Sequence, residues 1–273
     1  MRAYAKINLS LNNLGKVGSM HKLDMIISEI DLYDDIHIEK TDNHNISIMG
    51  MNIPLEKNLI YKAARKFLDY NNIEAGLNIY IEKHIPEEAG LGGGSSDAAC
   101  VLKLLNEMFE TKNSISELEK LAFELGSDVV FFIHGGICRV SSFGEKVRKI
   151  SNEKISGGMV IKPAYGLSTK EVFVESDKYL VEDKTHLLDE IENHIKKGNV
   201  PYDLLFNDLE LPADNLSKKF SNMTILDYKK MLSENSNVKK VLMSGSGSSI
   251  FVLGDVEKID LIDEVKNVKV YKF

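Results

Sequence analysis

Between Gly90 and Ser96 the chain reads Gly-Leu-Gly-Gly-Gly-Ser-Ser. Four glycines in seven residues let the backbone fold tightly and expose successive N–H groups. Directly behind them, Asp97 to Phe109 carries Ala98, Val101, Leu102, Leu105 and Met108 or Phe109 at helical spacing. The free N–H groups and positive dipole end of that helix add to the donors of the loop. A glycine loop running into a helix start is an anion site suited to phosphate. Ser95 and Ser96 contribute hydroxyls, as further donors or as a ligand for Mg²⁺. A flexible Gly/Ser linker is the other reading of such a composition. Linkers rarely run from a strand ended by Pro86 into a capped amphipathic helix. The commoner phosphate motifs are missing. No Lys follows the glycines as GxxxxGK[ST] requires, and Gly245-Ser246-Gly247 has Ile250 where GxGxxG needs its third glycine. A protein-kinase catalytic loop with its Asp-Phe-Gly partner is missing as well.

The elements that must hold this loop are legible in outline. Residues 2–14 read as a strand, with Tyr4, Ile7, Leu9 and Leu11 apolar. Residues 21–40 read as two strand pieces split by a turn at Tyr33-Asp34-Asp35. Asn45–Met49 and Leu77–Lys83 alternate as strands, and Asn58–Tyr70 has helical spacing. Ser95 or Ser96 is the expected cap of the helix after the loop, with Asp97 in its first turn. Ser116 with Glu119 reads as a capping box for a helix that Gly126 stops. Further on, Met159–Lys162, Ile250–Leu253 and Val268–Phe273 are expected strands. Helices are expected from Ser168, over 184–197 and 224–235, and over Asp255–Val265. The polar, Gly-containing stretch near 150–158 marks a boundary between domains at 1–154 and 155–273. Ser244–Ser249 reads locally as a tight hairpin turn.

The 273 residues carry 41 acidic and 34 basic side chains, a formal net charge of −7. Nucleic-acid binding relies on clustered Lys and Arg, so an acidic chain of this kind is expected to have no nucleic-acid partner. The hydrophobic fraction is 43%, enough for a sizeable core. Cys100 and Cys138 stand far apart in apolar contexts and read as buried small hydrophobes. The first residues lack the apolar core of a signal peptide, and Val129–Ile133 is far too short to span a bilayer. A reducing cytoplasm, without membrane association, is the expected location.

The run from Pro86 through Glu87, Glu88, Ala89, Gly90, Leu91, Gly92, Gly93, Gly94, Ser95 and Ser96 to Asp97-Ala98-Ala99 resembles the nucleotide loop of the GHMP kinase superfamily. Ala5-Lys6-Ile7-Asn8-Leu9, Leu125-Gly126-Ser127-Asp128-Val129 and Met243-Ser244-Gly245-Ser246-Gly247-Ser248 resemble one branch of it, the 4-diphosphocytidyl-2-C-methyl-D-erythritol kinases. Asn58-Leu59-Ile60, Lys162-Pro163, Gly166-Leu167-Ser168-Thr169 and Asn207-Asp208-Leu209-Glu210 also fit. The resemblance therefore covers almost the whole chain, in order.

It implies an α+β, two-domain GHMP kinase fold: a ribosomal-protein-like α/β N-terminal domain, a ferredoxin-like C-terminal domain and an active site in the cleft between. It implies transfer of the ATP γ-phosphate, with Mg²⁺, to the 2-hydroxyl of a cytidine diphosphate derivative in non-mevalonate isoprenoid synthesis, by a monomer or homodimer. Asp128 becomes the base and Lys6 the cation beside it, although alone they read as a turn residue and an edge lysine. Asn58 and Lys83 would approach adenine. Asn8, Asn12 and His21 would reach the substrate, and Gly245 and Ser246 would close the site. Two departures stand out: Met20 where the family carries an aromatic residue before the histidine, and Val130 where it usually has Pro. Met20 keeps a different small-alcohol kinase, homoserine- or mevalonate-kinase-like, as the alternative. A non-catalytic nucleotide-binding protein is the third reading, and the retention of Lys6 and Asp128 argues against it.

Overall fold

A computed structural model describes residues 1–259 and 268–273. The protein is α+β, and the chain divides into two compact units. One comprises Met1–Ala5, Tyr33–Ile85 and Gly92–Gly135; the other comprises Lys6–Leu32, Pro86–Leu91 and Gly136–Phe273. Two long strands, β1 (Arg2–Val17) and β2 (Met20–Thr41), run through both. Side chains alternate across a strand, and β1 buries both of its faces. One face is Ala3, Ala5, Ile7, Leu9 and Leu11, at most 2% exposed; the other is Lys6, Asn8, Ser10 and Asn12, at most 5% exposed. The break expected at Tyr33-Asp34-Asp35 is not there, and β2 continues through it. Asp34 is fully buried and accepts the backbone N–H groups of His84 (2.5 Å) and Ile85 (2.8 Å). That tertiary demand overrides the local turn preference of an Asp pair.

In the first unit, Asp35–Thr41 of β2 pairs antiparallel with β4 (Gly76–Glu82), and β3 (Ile46–Met49) pairs parallel with β4. Four helices belong to it: α1 (Leu59–Tyr70), α2 (Gly93–Met108), α3 (Ile115–Leu125) and α4 (Ser127–His134). Phe67 and Leu68 of α1 and Val101, Leu102 and Leu105 of α2 are fully buried. The sequence places the start of α2 four residues too late. Gly92 turns the chain in a left-handed conformation (φ +71°), and the Ser96 N–H already donates to Gly92 O (2.9 Å). Helix winding thus begins inside the glycines, so Ser95 and Ser96 are not caps and Asp97 is not in the first turn. The capping box of α3 is Ser114 with Glu117, not Ser116 with Glu119. Glu119 instead pairs with His134 at the end of α4, 2.6 Å away. That helix has no counterpart in the sequence reading, because Val129–Ile133 is apolar on every side and shows no periodicity.

In the second unit, Leu23–Ser28 of β2 pairs with β5 (Ile137–Ser142), which forms a hairpin with β6 (Lys146–Ser151). The two residues of β8 (Phe206–Asn207) lie parallel to Ser10 and Leu11 of β1. A separate antiparallel sheet has the order β11 (Val268–Lys272), β7 (Gly158–Pro163), β10 (Ile250–Gly254), β9 (Val238–Met243). The helices of the second unit are α5 (Thr169–Ser176), α6 (Thr185–Lys196), α7 (Glu210–Ser217) and α8 (Ile225–Ser233). Arg139 of β5 holds Asp24 through two hydrogen bonds (2.9 and 2.6 Å) and reaches Asp189 and Glu192 of α6. Arg148 grips Glu192 with both arms, and against the effect of burial this holds its carboxyl down at about 2. The helix expected over Asp255–Val265 falls outside the described residues from 260 onward; Val256–Lys258 form one 3-10 turn.

Candidate active site

The buried polar face of β1 supplies the first group of expected site residues. Lys6 Nζ donates to Asn8 Oδ1 (2.6 Å), and Asn8 Nδ2 faces Met25 Sδ (3.5 Å). Asn12, with its amide oriented to satisfy both ends, donates to Glu182 O (3.2 Å) and accepts from Lys184 N (3.3 Å). Its side chain therefore serves the segment before α6 rather than standing open. Buried polar groups need such partners, which explains why a strand otherwise fit for a core carries three well-ordered amide and amine groups.

The hairpin between β9 and β10 brings the second glycine loop, Ser244–Ser249, to the same place. Ser244 N donates to Ser249 O (3.0 Å), which closes the turn. Gly245 adopts φ +58°, and a methyl group there would come within 3.1 Å of Lys6 Nζ. Asn207 donates from one amide to both Met243 O and Gly245 O (2.8 Å each). Ser246 Oγ lies 2.8 Å from Thr169 Oγ1. Ser244 Oγ donates to Gly90 O (3.0 Å), and Lys6 N donates to Leu91 O (2.9 Å). Lys6, Asn8, Gly245, Ser246, Gly90 and Leu91 are thus assembled within one unit. The first part of the Pro86–Ser96 loop leads into this cluster: Pro86 is half-buried, Glu87 and Glu88 are exposed, and Ala89 is buried.

Gly92, Gly93, Gly94, Ser95 and Ser96 belong to the first unit as the start of α2. Gly93 sits against Ile85 and Lys83; a methyl on it would be 3.5 Å from Lys83 Nζ. Lys83 is held from below by two fully buried carboxylates, Asp34 (2.5 Å) and Asp97 (2.8 Å). Burial alone would lower the pKa of this ammonium, but the two acids outweigh it and hold it above its ordinary value. The Asp97 carboxyl is pushed up to about 7, chiefly by burial, with Lys83 opposing and Asp34 adding. Its Oδ1 has no hydrogen-bond partner among the described residues. So the ammonium of Lys83, expected near adenine, is committed to a buried ion cluster beneath the start of α2. Asn58, the other residue expected there, caps α1 by accepting from Ile60 N (2.9 Å).

Asp128 stands exposed in the first turn of α4, just after Gly126 ends α3. Among the described residues no three acidic, His or Cys side chains cluster as a metal cage. His21, near the start of β2, lies 2.6 Å from Asp177 and packs against the Phe173 ring of α5 in a tilted arrangement, ring centres 4.8 Å apart. The contact with His21 holds the Asp177 carboxyl below its usual range. Met20 is exposed. Sequence reasoning missed Phe173, Asp177, Asp34 and the structural roles of Asn207 and Lys162. The last two lie in segments it had noticed; the others carry no local signal.

Residues 58–136 match the GHMP kinases N terminal domain. A 4-diphosphocytidyl-2-C-methyl-D-erythritol kinase of Clostridium botulinum (strain Alaska E43 / Type E3) is 40% identical over 261 residues, covering 92% of this chain and 89% of the relative. One of Clostridium beijerinckii is 36% identical over 282 residues, covering 100% and 96%. The crystal structure of a 4-(cytidine 5'-diphospho)-2C-methyl-D-erythritol kinase superimposes with a TM-score of 0.74 at 28% identity, over 93% of this chain and 89% of that one. The mevalonate kinase of Methanococcus jannaschii, 18% identical with a TM-score of 0.67 over 99% and 96%, shares the fold. With a nucleotide-type glycine loop at the head of α2 and identity of this extent along nearly its full length, the chain belongs to the 4-diphosphocytidyl-2-C-methyl-D-erythritol kinase family of GHMP kinases.

Proposed function

We propose that the protein transfers the γ-phosphate of ATP to the 2-hydroxyl of 4-diphosphocytidyl-2-C-methyl-D-erythritol, a step of non-mevalonate isoprenoid synthesis. The observation that carries this reading is the assembly of Lys6, Gly90 and Gly245 around one point of β1, together with the family membership. Phosphoryl transfer needs little beyond an in-line nucleophile and donors that spread charge. In this reading Pro86–Ser96 cradles the nucleotide phosphates with backbone N–H groups. Asp128 accepts the proton of the attacking hydroxyl. The Lys6 ammonium, oriented by Asn8, neutralises charge on the phosphoryl group in flight. Asn58, Lys83, Asn12 and Ser246 take the supporting roles that the resemblance implies, Lys83 now through its ion cluster. His21 and Phe173 offer a ring platform and a polar edge to the cytosine.

Mg²⁺ usually keeps several waters and binds substrate phosphates with one or two protein oxygens. A single hydroxyl such as that of Ser95, half-buried in the first turn of α2, fits that pattern. The ion would supply charge neutralisation on the phosphates. No helix among the described residues is long and apolar enough to cross a membrane. We further propose a cytoplasmic location, a monomer or homodimer, and an ATP-binding N-terminal region, 1–154, followed by a second functional region, 155–273. A different small alcohol remains the second reading because Met20 supplies no ring.

Turnover of ATP against the cytidyl substrate, homoserine, mevalonate and sugars decides between them. Robust turnover of another alcohol, with none of the cytidyl compound, would sink the first. Lys6→Ala and Asp128→Asn should each cost orders of magnitude in kcat while ATP affinity is nearly kept; unchanged rates remove both from the mechanism.

A further inference from the structure

Lys162 is a charged side chain in an unusual setting. It lies on β7, a strand buried along its whole length, and is itself only 9% exposed. No carboxylate lies within 4 Å of its ammonium among the described residues. Its three N–H groups go instead to Pro163 O (3.0 Å), Tyr165 O (2.6 Å) and Ser248 Oγ (3.1 Å). That uses the full donor capacity of a lysine. Ser248, fully buried, donates its own hydroxyl back to Tyr165 O (2.5 Å). The ammonium, the hydroxyl and the carbonyl therefore close a triangle that ties the far end of the second glycine loop to the segment after β7. Burying an ammonium without a counter-ion is costly, and burial here does lower its pKa, with the more distant Glu88 opposing and Lys269 adding. A plain structural tie is cheaper to build from neutral groups.

The loop that Lys162 grips is the one that places Gly245 beside Lys6. Its near end is held by Asn207 and by Ser244 on Gly90; its far end is held by Lys162 through Ser248. The segment beyond Lys162 also meets the first loop, since a methyl on Gly166 would lie 2.4 Å from Glu88 Oε2. We propose that Lys162 is a positioning residue for phosphoryl transfer: it fixes the Ser244–Ser249 loop through Ser248 and adds a buried positive charge beneath it. It acts through the loop and does not touch the substrate. Its loss should therefore act on kcat more than on ATP binding, because the nucleotide phosphates are assigned to the other loop.

This rests on the kinase reading above, so the experiment has one readout that needs no substrate. Wild type, Lys162→Met, Lys162→Gln and Ser248→Ala are compared by steady-state kinetics with ATP and the cytidyl substrate, and by amide hydrogen exchange of residues 244–249. Lys162→Met, which keeps the volume but removes charge and donors, should lower kcat at least tenfold. Its KM for ATP should stay within threefold, and exchange in the loop should rise. Lys162→Gln, which restores two N–H donors without the charge, should fall between it and wild type. Ser248→Ala keeps the charge, should cost kcat about three- to tenfold, and serves where Lys162→Met fails to fold. Unchanged kcat and unchanged loop exchange in Ser248→Ala overturn the proposal, as does a Lys162→Met protein that loses thermal stability but keeps kcat per folded molecule. If wild type does not turn over the cytidyl substrate while the variants still loosen the loop, the function proposal fails and the positioning role stands.

Discussion

Replacing Asp97 by Asn should make stability less sensitive to pH between about 5 and 7. Asp97 and Asp34 are both fully buried and share the single ammonium of Lys83, so the cluster holds one negative charge more than it can neutralise. Burial foremost, with Asp34 adding against the pull of Lys83, lifts the Asp97 carboxyl to about 7. In the unfolded chain it titrates near the ordinary value of about 3.9. The folded protein therefore holds this proton more tightly than the unfolded chain does. The resulting stabilisation is complete below about pH 4 and is lost as pH rises through about 7. One pH unit inside that window is worth about 1.4 kcal/mol. From pH 5 to pH 7 the wild type should give up about 2–3 kcal/mol through this one group. Asn cannot ionise, yet it keeps an acceptor oxygen for Lys83. Urea unfolding of both proteins at pH 5, 6 and 7 measures the difference at equal m. Relative to wild type, the variant should gain about 2–3 kcal/mol between the two ends of the range. Parallel stability curves would show that the excess charge is relieved some other way.

Gly90→Ala forces a left-handed conformation (φ +69°) on a residue with a side chain and drives its methyl to 2.2 Å from Ser244 O. The strain alone costs about 1–2 kcal/mol, and the loop must shift. The apparent melting temperature should fall and the KM for ATP should rise about tenfold or more, readable from a thermal melt and one ATP titration; an unaffected KM would detach this glycine from the nucleotide. Burial pushes the thiols of Cys100 and Cys138 up to about 12, so at pH 8 thiolate is on the order of one part in ten thousand. A chromogenic disulfide reagent should find neither thiol in native protein and both in urea; rapid labelling of the native form would contradict the burial.

Legibility in the sequence followed the range of the forces involved. Helix α1 and strand β4 were readable because neighbours in sequence dictate them, although the capping by Asn58 was not foreseen. The glycine loop was visible as an irregular turn ahead of a helix, but the start of α2 was not, since winding a helix through Gly93 and Gly94 depends on packing that no propensity encodes. Asp34 looked like half of a turn; only His84, Ile85 and Lys83, about fifty residues away, make it a buried acceptor. Asp128 and Lys6 had bland local readings, and the roles proposed for them rest on resemblance alone. Phe173 reaches His21 across more than 150 residues, a pairing that alternation and spacing do not announce. The second glycine loop read as a hairpin, and it is one; its threefold tethering by Asn207, Ser248 and Ser244 was not visible.

Strand β1 has a further implication for how such an enzyme can vary. Its apolar and polar faces are interleaved one residue apart, so inserting or deleting a single residue between Ala3 and Asn12 exchanges them. Ile7, Leu9 and Leu11 would then enter the polar cluster, and Lys6, Asn8 and Ser10 would enter the hydrocarbon core. Folding and chemistry would fail together, with no intermediate that keeps one at the expense of the other. Length change is thus closed to this segment, and variation there must proceed by exchange of side chains in place, whereas the exposed hairpin between Val17 and Met20 is free to lengthen.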